Sequence, residues 1–125
     1  MNHLEFGAAG EDFAANFVEG LGWTIIGRNV RVGRGELDIV AMDGDELVII
    51  EVRTRKIGRI SPAETTVGPM KIRRIIKSAR EYVGRIAFSG AWRIDVVAVT
   101  KNNEGGIAAE LFSDVTMGME GGLMG

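Results

Sequence analysis

Two hydrophobic periods divide the chain. From Asn2 to Glu19 apolar side chains recur at helical spacing: Leu4, Ala8, Ala14, Ala15 and Val18 form one arc, widened by Phe6, Phe13, Phe17 and Leu21. Asn2 followed by Glu5 has the form of a capping box, and Gly20 and Gly22 supply a stop. Glu5, Asp12, Asn16 and Glu19 take the polar side, but Glu11 falls inside the apolar arc, between Leu4 and Val18. A carboxylate there is buried at a cost unless it meets a partner. Taken alone, the residues favour a Glu11 that reaches solvent or pairs with an arginine such as Arg31, over one aimed into a site.

The period then shortens to two. Trp23 to Val30 predicts a strand broken by Gly27, with Arg28, Asn29 and Arg31 near its end, before the loop Val32-Gly33-Arg34-Gly35. These polar residues suit phosphate contacts or a solvated loop equally, and a Gly-x-Gly alone is too common to mark a phosphate loop. Gly35 to Arg53 predicts a β-hairpin, two apolar arms around Asp43-Gly44-Asp45. Carboxylates interrupt both arms. Glu36, Asp38 and Val40 share one face of the first arm, and Ile49, Glu51 and Arg53 share one face of the second. A loop at Gly44-Asp45 sets Asp38 opposite Glu51. A loop at Asp43-Gly44, the stronger turn dipeptide, sets Glu36 opposite Glu51 with Asp38 on the diagonal. Either loop gathers Asp38, Glu51 and Arg53 on one face, with Cβ atoms about 5–8 Å apart; an odd-length loop would separate them.

Thr54 to Gly68 predicts a flexible basic loop, able to fold over a bound strand or simply to be solvated, with Arg55, Lys56 and Arg59 at its start. Pro69 opens a second helix, whose stripe Ile72, Ile75, Ile76, Ala79, Val83 and Ile86 packs on the sheet. Trp92 to Thr100 is a further strand, with Arg93 and Asp95 neighbours on one face that satisfy each other. A turn over Lys101 to Gly106 leads to a last strand, Ile107 to Phe112, and residues 116–125 form a frayed tail after one domain of residues 1–115.

Composition narrows the chemistry. The 125 residues suit one domain with a single core. With no cysteine and one histidine, thiolate sites, disulfides and histidine triads are excluded. Any metal must be held by carboxylates and water, which favours Mg²⁺ or Mn²⁺. No signal peptide or membrane-length apolar run is evident, so the expected place is the cytoplasm, without a membrane partner. Net charge is −2, yet Arg53 to Arg85 carries ten cations against Glu64 and Glu81. On the second helix, Lys71, Arg73, Arg74, Lys77, Arg80 and Arg85 give a nearly single-sign outer face, suited to a polyanion.

Asp38, followed by Glu51-Val52-Arg53, resembles the bipartite signature of the PD-(D/E)xK nuclease superfamily. Gly10-Glu11, Asn29, Arg31, Gly35 to Val40, Glu51 to Arg55 and Arg93 to Val97 resemble, more closely, the bacterial UPF0102 (YraN-like) family, itself likened to Holliday-junction resolvases. The resemblance runs from about Gly7 to Thr100. It implies a restriction-endonuclease-like α/β fold with an αβββαβ core, a mixed central sheet flanked by helices. It also implies a metal-dependent endonuclease acting on DNA rather than RNA, possible homodimers, and branched or junction substrates. Asp38, Glu51 and the Val52 carbonyl would hold Mg²⁺ or Mn²⁺. Glu11 becomes a third carboxylate, with Glu36 in reserve. Arg31, Arg55, Lys56, Lys71, Arg74 and Lys77 would meet the nucleic acid.

Arg53 departs from the signature's lysine. It cannot serve as a general base, although it can stabilise developing charge. A non-catalytic nucleic-acid-binding domain is the alternative, and would pair Glu51 with Arg53; a protein-binding domain with an acidic partner is a third.

Overall fold

The computed structural model describes residues 3–56 and 68–116. Helix α1 (His3–Gly20) leads into strands β1 (Thr24–Val32), β2 (Gly35–Asp43) and β3 (Glu46–Lys56); helix α2 (Pro69–Arg85) and strands β4 (Trp92–Lys101) and β5 (Ile107–Phe112) follow. The strands form one five-stranded sheet in the order β1-β2-β3-β4-β5. All neighbours are antiparallel except β3 and β4. A parallel pair cannot be closed by a tight turn, so the chain must return along the sheet, and α2 lies within that crossover. The result is a mixed α/β architecture, consistent with the restriction-endonuclease-like fold that the resemblance implies.

Both sheet faces are covered, which explains the near-continuous apolar runs of the central strands. Val48 and Ile50 of β3 pack with Ile39, Ala41, Val97 and Val99 against Ala14, Ala15 and Val18 of α1. Leu47 and Ile49 point the other way and join Val40 and Ile94 against Ile75, Ile76, Ala79 and Tyr82 of α2. Each such side chain taken fully from water contributes about 1.5–3 kcal/mol before the entropy of ordering is counted. The strand period and the two helical stripes therefore specify one layered core.

The hairpin closes on Gly44-Asp45, because Asp43 pairs with Glu46. Gly44 has φ 61, a left-handed conformation that glycine adopts without a Cβ clash. Several boundaries differ from the sequence-based expectation. β1 continues to Val32; at Gly27 the register shifts as in a bulge, but the strand does not end. Thr54 to Lys56 extend β3 rather than begin a loop, since β4 supplies partners at Val99, Thr100 and Lys101. Leu21 and Ile86 fall just past the ends of their helices and remain exposed, and Ala8 is exposed also. Tyr82, seven residues after Ile75, fills the place on α2. Thr116 is buried, its hydroxyl donating to Asp114. The expected cap at Asn2, the loop from 57 to 67 and the tail from 117 onward lie outside the described residues. Among the described residues no helix is long and apolar enough to cross a membrane.

Candidate metal and phosphate site

Regular β2–β3 pairing runs from Asp43↔Glu46 to Ile39↔Ile50. One step further, the same register sets Asp38 across from Glu51, at the end of the hairpin remote from its turn. Asp38 Oδ2 accepts the Val52 backbone N–H at 2.8 Å, which fixes the carboxylate against β3. Glu51 is buried, and Lys71 Nζ of α2 lies 3.1 Å from its Oε1. Burial, then the neighbouring Glu51 charge, pushes the Asp38 carboxyl up to about 7, against the lowering effect of the Val52 N–H. Glu11 adds a smaller repulsion to Asp38.

Glu11 lies partly buried on α1. With its amide oriented to suit its neighbours, Asn29 donates to Glu11 Oε1 at 2.8 Å and to Glu36 Oε1 at 3.2 Å, joining the two acids through β1. Burial raises the Glu11 pKa, Arg28 lowers it, and Glu36 and Asp12 raise it further. Arg28 is spoken for at the surface, 2.8 Å from Asp12. Glu11 therefore takes a hydrogen-bonding partner from β1, rather than Arg31 or open solvent.

The carboxylates open into a cleft of about 300 Å³, walled by Glu36, Asp38 and Glu51 from the strands and by Lys71, Arg74 and Ser78 from α2. Lys77 lies outside it, in an adjoining furrow. Arg31, Arg55 and Lys56 line neither: Arg31 is exposed and its carbonyl accepts Arg85 at 3.2 Å, while half-buried Arg55 leaves Nε without a partner among the described residues. Arg53 is half-buried and makes no ion pair among the described residues, so the cation on Glu51 is Lys71. Sequence reasoning missed Ser78. Its helical spacing from Lys71 and Arg74, at i+7 and i+4, is the signal that puts it on the same wall.

Among the described residues no group of three or more His, Asp or Glu side chains is placed to hold a metal. What the cleft offers is the Asp38–Glu51 pair, with Glu36 also on its lining. Hard oxygen donors of this kind fit Mg²⁺ or Mn²⁺, since such ions keep several waters and take further ligands from substrate phosphates. Burial first and the Glu51 charge second raise Asp38, and a divalent cation would oppose both effects by favouring the ionised carboxylate.

At the other end of the hairpin, Arg93 of β4 gathers carboxylates into a structural cluster. Its Nε lies 3.0 Å from Asp95 Oδ1, one terminal nitrogen meets Glu46 and the other is 3.2 Å from Asp43 Oδ2. Asp95 also accepts the Asp114 N–H at 2.8 Å, and the guanidinium sits 5.1 Å from the centre of a Trp23 ring. Burial works against the Arg93 charge, but Asp95, then Glu46 and Asp43, outweigh it and raise its pKa. The mutual satisfaction of Arg93 and Asp95 is observed, widened to two further acids.

Comparison with known proteins finds the family described as "Uncharacterised protein family UPF0102", whose model matches residues 10–99. A UPF0102 protein of Cytophaga hutchinsonii is 38% identical over 100 residues, covering 80% of this chain and 88% of its own. One from Anaeromyxobacter dehalogenans is 44% identical over 95 residues, covering 75% and 71%. A third, from Mycolicibacterium vanbaalenii, is 41% identical over 101 residues, covering 78% and 82%. The matched span holds Glu11, Asp38, Glu51 and Lys71.

Proposed function

From the premise that the chain belongs to the UPF0102 family, we propose that it is a Mg²⁺- or Mn²⁺-dependent endonuclease. Its substrate on this reading is DNA, branched or junction DNA in particular, and it works in the cytoplasm, where a homodimer would suit paired scissions. One observation carries the proposal: Asp38 and Glu51 meet in a cleft whose opposite wall is cationic, with Asp38 pushed up to about 7. A purely structural carboxylate pair would be expected to have its charge matched.

Asp38 and Glu51 would hold the ion, with Glu11 acting through the Asn29–Glu36 bridge and the Val52 carbonyl as a further oxygen. When bound, the ion supplies a Lewis acid and lowers the pKa of a coordinated water. The chain's own groups do the rest. The Val52 N–H holds Asp38 in orientation. Lys71 and Arg74 neutralise charge on the phosphate entering the cleft. Arg53 stays protonated, so it takes no proton from water; its donors steady the charge that develops at phosphorus.

The alternative, a binding domain that kept the fold without catalysis, predicts an ion pair between Glu51 and Arg53. Glu51 pairs instead with Lys71, on the wall that would receive substrate, and this favours the catalytic reading. The test is cleavage of labelled linear, single-stranded, flapped and four-way-junction DNA with Mg²⁺ or Mn²⁺, beside Asp38→Ala protein purified identically. The expected result is cleavage by the wild type, reduced about 100-fold or more in the variant. Equal cleavage by both proteins, or none by either, would sink the nuclease reading.

A further inference from the structure

A second concavity, of about 410 Å³, adjoins the carboxylate cleft. One wall is the β1–β2 turn, Gly33-Arg34-Gly35; the other is α2, which presents Arg74, Lys77 and Ser78. The two spaces share Gly35, Arg74 and Ser78, so the second concavity adjoins the cleft of Asp38 and Glu51. The turn hugs the helix at this junction: a Cβ on Gly35 would stand 2.4 Å from Ser78 Oγ.

Arg34, Arg74 and Lys77 are exposed, and none of them has an ion pair among the described residues. Glu81 is the one acid on the lining. Like charges three residues apart on a helix, as Arg74 and Lys77 are, repel each other and gain nothing structural from the arrangement. Glu81, four residues after Lys77, offsets part of that charge; an anion between the walls would meet the rest. Because the cations stand on both walls, the anion that fits is a narrow one that lies between them. A space of this volume admits a short piece of one backbone and cannot enclose a duplex.

We propose that this furrow seats a single nucleic-acid strand leaving the carboxylate cleft, clasped through its phosphates by Arg34 on one wall and by Arg74 and Lys77 on the other. The proposal rests on the nuclease reading for what happens in the cleft, and it sharpens the substrate. The scissile bond lies next to an unpaired arm, as at a flap or an open branch, and not within continuous duplex. The contacts are to phosphates, so the arm is chosen by its single-stranded form and its sequence is not read.

The test is fluorescence anisotropy without divalent cation, using a labelled single-stranded oligonucleotide and the blunt duplex of the same sequence across a salt titration. Arg34→Ala and Lys77→Ala are each expected to weaken single-strand binding roughly three- to tenfold at low salt and to reduce the salt slope by about 0.7. The duplex should lose less. Arg73→Ala, which removes an exposed cation of α2 outside the furrow, should leave the preference for single strands intact. Circular dichroism of each variant controls for folding. Losses in Arg34→Ala no greater than in Arg73→Ala, or equal losses for both probes, would overturn the furrow. The two readings fail separately. Asp38-dependent cleavage with binding indifferent to Arg34 removes the furrow alone, whereas furrow-dependent binding with no cleavage removes the nuclease alone.

Discussion

The β2–β3 hairpin carries acids at both ends, and the two ends treat them differently. At the turn, Asp43 and Glu46 join Asp95 around one guanidinium, Arg93, with further support from the Asp114 N–H and the Trp23 ring. Each of these three acids meets the guanidinium. At the open end, Asp38 and Glu51 face each other with one half-exposed ammonium on Glu51 and a single backbone N–H on Asp38. The first arrangement holds strands together. The second leaves negative charge unmatched beside a cationic wall, which is poor for stability and is what the proposed cation and phosphate would relieve. Acids on one hairpin thus differ in how fully their charge is met, and the proposed function falls to the less fully met pair.

Removing Arg93 should show the largest effect. Arg93→Met leaves Asp95, which is fully buried, without its counter-charge, and a loss of about 3–5 kcal/mol in urea unfolding is expected. Asp38→Asn should act in the opposite direction. The folded-state carboxyl, at about 7, lies above its ordinary value of 3.8, so the folded protein holds a proton that the unfolded chain releases between those values. Wild-type stability should therefore fall as pH rises from about 4 to about 7 and level off above. The amide of Asp38→Asn does not titrate, so the variant should be more stable than the wild type at pH 8 by about 2 kcal/mol, allowing for partial exposure. The gain should vanish near pH 4.

Metal offers a third test of the contrast. Mn²⁺ at ten times its dissociation constant should stabilise the wild type at pH 8 by about 1.4 kcal/mol, read as a shift of the thermal midpoint, and should leave Asp38→Asn unmoved. The smallest effect is expected at the rim. Arg28→Ala, which breaks the exposed pair with Asp12, should change unfolding by less than about 1 kcal/mol. If Asp38→Asn destabilised the protein as Arg93→Met does, the distinction between the two ends would fail.

The layers, both helices and, for a two-residue loop, the sharing of one face by Asp38 and Glu51 follow from periodicity, because a strand's two-residue repeat and a helix's stripe are local properties. The loop register does not. Asp43-Gly44 is the stronger turn dipeptide, yet the loop is Gly44-Asp45, and Arg93 bridges Asp43 and Glu46 from another strand. Thr54 to Lys56 look like loop because they are polar, whereas the parallel partner β4 satisfies their backbone. Lys71 as the partner of Glu51 was equally hidden: the two meet only across the β3–α2 crossover, a relation that no local pattern encodes. Leu21 and Ile86 extend a stripe in sequence but lie past the last turn that could bury them.

Chain separation also sets an order in time. β2 and β3 can join as soon as two loop residues turn, within about 1–10 μs for a hairpin. Lys71 and Arg74 reach that hairpin only when α2, which begins at Pro69 beyond the end of β3 at Lys56, docks on the sheet, a less local step that is slower. The acidic pair is therefore assembled before its basic wall, and the cleft is completed late. Formed-structure φ-values in the β2–β3 turn and low ones along α2 would be the kinetic trace of that sequence. A partly folded chain would then carry the carboxylates without the cations that face them.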